Sequence, residues 1–229
     1  MKLKVAPGSL AAVKAVRNAF PDLLITLDAN QSFSEGDRAE LRAYDGLQVA
    51  WIEEPLATLA SASSGRPGSG VSGRVASHDF SRLSQLQRTM ATPICVDESF
   101  VDERGAYAAL NAPGLCCFAV KAAKFGGIEP TLRFIHAARQ NNCEVWMGGM
   151  YDTGISKRLH AALQTLPGVA APGDVGAVSR YFDVDVTDPP YTVERGMVTL
   201  NRAGHEDGLG CELCRPALER VLVERVVVE

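Results

Sequence analysis

The chain has 229 residues, 46% of them hydrophobic and 22% charged, with a formal net charge of −4. That is the composition of a globular protein of one large or two small domains, and it excludes nucleic acid and anionic membrane surfaces as main partners, because those need a basic face. No apolar run reaches the length of a membrane span and no signal-peptide pattern opens the chain, so the expected location is cytoplasmic.

Met1-Lys-Leu-Lys-Val5 alternates apolar and basic residues as a short strand, and Ala6-Pro7-Gly8 ends it, with Ser9 placed to cap a helix. Leu10, Val13, Val16 and Phe20 form one helical stripe. Leu23 to Leu27 is an apolar run that stops at Asp28-Ala29-Asn30, as a buried parallel strand does when it delivers a carboxylate to its C-terminal mouth. A helix over 34–47 follows, opened by a Ser34-x-x-Asp37 capping box. The next strand ends in Glu53-Glu54-Pro55. Residues 61–74 are Ser- and Gly-rich, cannot pack a core and read as an inserted loop.

Beyond the insert, helices are predicted over 79–90, 102–110, 129–141 and 153–166. Strands alternate with them at 93–96, 116–120 and 144–147. Such alternation specifies right-handed βαβ units with a parallel sheet, and six or seven in succession favour a barrel over an open sheet. We expect a partial barrel over 1–187, then a different kind of segment over 188–229: a hairpin at Tyr191–Leu200 and a strand or edge segment at Leu218–Val228, packed on the barrel.

The charged strand ends recur at a nearly fixed interval. Lys4 lies 24 residues before Asp28, Glu53 25 after it, Asp97 44 after Glu53, and Lys121 24 after Asp97. The one long step contains the insert. In a barrel such residues meet at one mouth, which here gathers Asp28, Glu53 and Asp97 between Lys4 and Lys121. Three carboxylates at one mouth repel one another unless a divalent cation holds them, and an all-oxygen set suits Mg²⁺ or Mn²⁺. Glu54 and Glu98 are rivals, set aside because adjacent strand residues face opposite ways. Lys2, two residues from Lys4, is expected to lower the pKa of Lys4 by like-charge repulsion. Lys4 is then the base in proton abstraction next to a carboxylate, and Lys121 the opposing acid/base or electrostatic partner.

The four histidines lack ligand spacing, and the lone CxxC, Cys211 to Cys214, lacks a second pair. Reduced cysteines are expected.

These residues carry a resemblance. Lys2-Leu-Lys4, Asp28-Ala-Asn30, Glu53-Glu-Pro55, Asp97-Glu-Ser99, Lys121 ahead of Gly126-Gly127, and Trp146-Met-Gly-Gly149-Met150-Tyr151-Asp-Thr-Gly154 resemble the barrel of the enolase superfamily, muconate-lactonizing subgroup. Within it the motifs are most similar to o-succinylbenzoate synthases and N-acylamino acid racemases. The resemblance implies a TIM-like (β/α)7β barrel, α/β in class. It also implies that the first strand and an N-terminal capping domain are missing here, leaving strands 2 to 8. It implies Mg²⁺ at Asp28, Glu53 and Asp97, and Lys4 and Lys121 as catalytic residues. Lys2, Asn30, Glu98, Lys124, Gly149, Met150 and Tyr151 are implied to support the site or border the substrate. The family usually has Arg where Lys124 stands, Ile where Tyr151 stands and Glu where Asp152 stands.

The expected activity is dehydration of a small carboxylate substrate in menaquinone synthesis. The alternatives are an N-acylamino acid or dipeptide racemase, and a truncated barrel without catalysis. A homo-oligomer is compatible with the sequence.

Overall fold

The computed structural model describes residues 1–56, 79–170, 172–200 and 208–223; the Ser/Gly-rich insert expected at 61–74 lies outside them. The chain divides into two compact units, Met1–Val145 and Trp146–Glu229.

The first unit is built on strands β1 (Lys2–Lys4), β2 (Thr26–Asp28), β3 (Ile52–Glu53), β4 (Ile94–Val96) and β5 (Cys117–Val120). Each pairs in parallel with the next. β6 (Glu144–Met147) follows in the same sheet, whose six strands run in sequence order and curl into a half-barrel. β2 to β5 are buried throughout, as strands covered on both faces must be. The helices are α1 (Leu10–Ala19), α2 (Arg38–Ala43), α3 (Ser81–Gln87), α4 (Glu103–Leu110) and α5 (Ile128–Gln140). Below the sheet, Phe134 packs against Tyr107, Phe118 and Phe125 with ring centroids 5.6, 5.6 and 5.0 Å away.

Local chemistry departs from expectation at two helices. Ser9 makes no side-chain cap to α1; the carboxylate of Glu40 accepts from the backbone N–H groups of Gly8 and Leu10 instead, so a distant acid does the capping. The single helix expected over 34–47 is broken into a 3-10 turn, α2 and a second 3-10 turn ending at Gln48, with Gly36 and Gly46 inside the two turns. Its capping box is present, with Ser34 N–H donating to Asp37 Oδ2 at 2.8 Å. Asp102 caps α4 by accepting from Gly105 N–H at 2.7 Å.

In the second unit, α6 (Gly154–Gln164) starts where Asp185 accepts the N–H of Gly154 at 2.8 Å. β7 (Thr187–Asp188) pairs antiparallel with β8 (Glu212–Leu213). Among the described residues the sheet has six strands, and two expectations for the tail are corrected. Beside β6, Asp174 N–H donates to Met147 O at 2.9 Å, and the surrounding Pro172, Gly173 and Gly176 break up a continuous ladder there. The edge segment expected at Leu218–Val228 begins instead as a helix, α7 (Arg215–Val221), with a proline in its first turn, where the missing N–H costs nothing. Residues 224–229 lie outside the described ones. The hairpin expected at Tyr191–Leu200 is reduced to one antiparallel bridge, Glu194 to Met197. No helix among the described residues is long and apolar enough to cross a membrane.

Candidate active site

Register explains why charged residues so far apart in sequence share one face. Lys4 pairs with Asp28, and Asp28 with Glu53. Glu53 then pairs with Cys95, and Cys95 with Cys117. Asp97 therefore stands two residues past the row on β4, and Lys121 four past it on β5. Steps of two keep side chains on the same side of a sheet, so the stagger of tilted strands preserves the facing of all five.

On that face the charges pair. Lys2 Nζ lies 2.9 Å from Asp28 Oδ2 and 3.0 Å from Glu53 Oε2, bridging the two carboxylates. Lys4 Nζ donates to the same Asp28 oxygen at 2.6 Å and to Asn30 Oδ1. The like-charge repulsion expected between Lys2 and Lys4 is thus offset by the acid they share. Asn30 Nδ2 donates onward to Glu98 Oε1 at 2.7 Å. Lys121 Nζ reaches both oxygens of Asp97, and Lys124 Nζ donates to Asp97 Oδ1 at 2.8 Å and to its backbone carbonyl at 2.7 Å. Lys124 also lies 4.7 Å above the ring of Phe100.

Burial sets the electrostatics. Burial pushes the Glu53 carboxyl up; Lys2 pulls against this, Asp97 and Asp28 add to it, and the result is well above the usual range. Burial raises Glu98 as well, with the charge of Asp97 adding to it. Asp97 goes the other way: burial opposes its charge, yet Lys124 and Lys121 hold it well below the ordinary value. Burial would discharge Lys121, but Asp97 keeps it charged above its usual range.

One of the expectations needs correction. Glu98 lies beyond the end of β4, where strand alternation no longer applies, and its bond to Asn30 puts it beside the site rather than behind it. Only Glu54 turns away. Among the described residues no group of three His, Cys, Asp or Glu side chains is arranged to hold a metal ion. Ammonium groups stand on the carboxylates instead, Lys2 on Asp28 and Glu53, Lys121 and Lys124 on Asp97. The donor set still fits a hard divalent cation. It is all oxygen, and two neighbouring carboxylates repel the buried Glu53.

Gly149, Met150 and Tyr151 belong to the second unit. A Cβ on Gly149 would lie 2.1 Å from the carbonyl oxygen of Asp174, so the backbone has no room there for a side chain. Met150 N–H donates to Asp152 Oδ2 at 2.9 Å. Tyr151 is exposed and meets Tyr181 edge to face at 4.8 Å. Sequence reasoning missed Glu54 as a partner of the site. The available signal was a second acid at the end of a strand buried on both faces, where a carboxylate needs backbone donors.

Parallel strands that present carboxylates and lysines from their C-terminal ends define a class of βα-barrel proteins. The chain belongs to the Enolase C-terminal domain-like family, whose sequence model matches residues 1–65 and 75–217 and skips most of the insert. Similar proteins include the N-succinylamino acid racemase of Thermus thermophilus, 34% identical over 96% of this chain and 54% of that protein. The o-succinylbenzoate synthase of Bacillus subtilis is 28% identical over 98% of this chain and 55% of its own length. Among solved structures, an enolase-superfamily member from Enterococcus faecalis superposes with a TM-score of 0.80 at 30% identity, covering 96% of this chain and 54% of that one. The chain spans about half the length of the curated relatives it matches.

Proposed function

We propose that this chain is the barrel part of a Mg²⁺-dependent, o-succinylbenzoate synthase-like lyase of menaquinone synthesis, located in the cytoplasm and acting on a small carboxylate substrate. The observation that carries the reading is the single-face ladder Lys4, Asp28, Glu53, Asp97 and Lys121, with its even stagger. Relatives named for that synthase support it.

Asp28, Glu53 and Asp97 would hold the cation. Bound there, Mg²⁺ or Mn²⁺ supplies positive charge to the substrate carboxylate as the neighbouring carbon loses its proton. Lys4, with its side chain 67% exposed and its amine between Asp28 and Asn30, removes the α-proton and returns it to the departing hydroxide. Lys121, buried and kept charged by Asp97, stabilises the anion formed. Asn30 and Glu98 fix the direction in which Lys4 points.

A second reading, an N-acylamino acid racemase, is favoured by the Thermus relative at 34% identity. In it Lys4 and Lys121 exchange protons with one α-carbon from opposite sides, and the charge on Lys121 suits the proton donor of the pair.

The deciding experiment incubates the chain, with and without Mg²⁺, with the cyclohexadiene precursor and separately with an N-succinylamino acid in D₂O. Mg²⁺-dependent dehydration supports the synthase. Deuterium at the α-carbon of the amino acid without dehydration supports the racemase. Neither activity, with no Mg²⁺-dependent stabilisation, would sink both and leave a barrel segment without catalysis.

A further inference from the structure

Just past the end of β3 lies a carboxylate that the proposed chemistry does not use. Glu54 is fully buried. Its Oε1 accepts the backbone N–H groups of Asp97 and Ser99, both at 2.8 Å, and its Oε2 accepts the Ser99 hydroxyl at 2.8 Å. Gln31 Nε2 approaches the same Oε2 at 3.4 Å, and Gln31 N–H donates to the Glu54 carbonyl at 2.7 Å. Glu54 itself sits at φ 39°, in the left-handed region that a non-glycine residue occupies only when its surroundings impose it.

The placement is specific. Glu54 follows Glu53 in the chain, and its side chain takes hold of the turn that begins with Asp97. β3 ends at Glu53 and β4 at Val96, so no ladder hydrogen bond between the strands reaches as far as Asp97. The link across that gap is the Glu54 carboxylate. The left-handed backbone lets consecutive residues do separate jobs, one aimed into the site and the other around its back.

We infer that Glu54 is a positioning residue that sets the place of Asp97 relative to Glu53, and so the spacing of the oxygens offered to a divalent cation. The inference rests on the proposed metal chemistry for its purpose and on the hydrogen bonds alone for its geometry. Gln at this position keeps one oxygen for the two N–H donors and can donate to the Ser99 hydroxyl; Ala keeps nothing.

The test compares wild type, Glu54→Gln, Glu54→Ala and a destabilised control remote from the clamp, Phe134→Leu, by two readouts at a temperature where each is folded. One is amide hydrogen exchange at Asp97 and Ser99 without metal; the other is Mn²⁺ affinity. Glu54→Ala is expected to lose protection at both amides and about tenfold or more in Mn²⁺ affinity, the scale of lost outer partners of metal ligands. Glu54→Gln and Phe134→Leu should stay within about threefold of wild type in affinity, since neither removes the clamp. Loss of stability in Glu54→Ala with unchanged Mn²⁺ affinity would overturn the inference and leave a purely structural acid. Should Glu54→Ala fail to fold, Glu54→Leu, which fills the same space without an acceptor, takes its place: a loss of about tenfold in Mn²⁺ affinity without a matching loss in Phe134→Leu supports the inference, and wild-type values for both readouts overturn it. If wild type binds no Mn²⁺, the metal reading fails by itself; unchanged amide protection in Glu54→Ala would then remove the clamp too, and lost protection would retain it.

Discussion

Lys121 holds both oxygens of the Asp97 carboxylate, at 2.7 and 2.5 Å, in a site where the acid's side chain is only 4% exposed. A buried pair of this kind is costly to break because the partner left behind keeps its charge. Lys121→Met is therefore expected to lower the stability of the metal-free chain by about 3 kcal/mol, cushioned by Lys124. Mg²⁺ should restore part of this by taking the vacated place beside Asp97. Urea unfolding of wild type and variant, with EDTA and with Mg²⁺, checks both halves; a variant indifferent to Mg²⁺ would contradict the second.

The pH dependence follows from opposed shifts. Burial, with Glu98 adding to it, pushes Glu54 up to about 7, and Glu53 is also held well above its ordinary value. Between about pH 4.5 and about pH 7 the folded chain thus binds protons that the unfolded chain has released, so stability falls as pH rises, by about 1.4 kcal/mol per unit for each such group. Asp97 has the opposite sign: its contribution is present above its ordinary value and is lost as pH falls below it. The metal-free chain should accordingly be most stable near about pH 5, and Mg²⁺ should flatten the decline above it. Urea midpoints in EDTA that rise between about pH 5 and about pH 8 would contradict this.

Arg17 is expected to matter far more than a residue of α1 facing away from the site should. Its guanidinium donates to the carbonyls of Leu47, Phe20, Pro21, Leu23 and Gln48 at 2.8 to 3.2 Å, tying the ends of α1 and of the following turn together. Arg17→Ala should cost about 2 to 4 kcal/mol, and Arg17→Lys should recover little, because one ammonium cannot reproduce a planar fork. Equilibrium unfolding of the two variants checks this; equal stability of wild type and the lysine variant would refute it.

Gly154 has a tighter constraint. A Cβ there would lie 2.3 Å from Asp185 Oδ2 and 2.4 Å from Thr187 Oγ1, the acid and hydroxyl that organise the start of α6. Gly154→Ala should destabilise the second unit by about 1 to 3 kcal/mol despite the better helix propensity of alanine. A thermal melt that rises instead would show that Asp185 moves aside at no cost.

The strand-end residues were legible because a parallel sheet repeats: each βα unit returns the chain to the same mouth, and the interval between charged residues survives in the sequence. Facing was legible only in part. Alternation says nothing of Glu98, which has left its strand and obeys the turn. Nor could sequence foresee how the charges divide, since Lys2 bridging Asp28 and Glu53 depends on side-chain reach rather than spacing. Caps follow the same lesson. Asp102 and Ser34 act locally and were readable, whereas Glu40 on the N-terminus of α1 comes from another element. Proline in the first turn of α7 was the sign that an apolar tail was helical.

The level that carries carboxylates on β2 and β3 carries sulfur on β4 and β5. Cys95 and Cys117, in register with Glu53, are wholly buried. A polarisable, uncharged shelf therefore underlies one flank of the ionic cluster, where water cannot dampen the pull between ions. Putting a hydroxyl into that shelf, as in Cys117→Ser, would make the surroundings of the ion pairs beside it more polar without touching a single charged group.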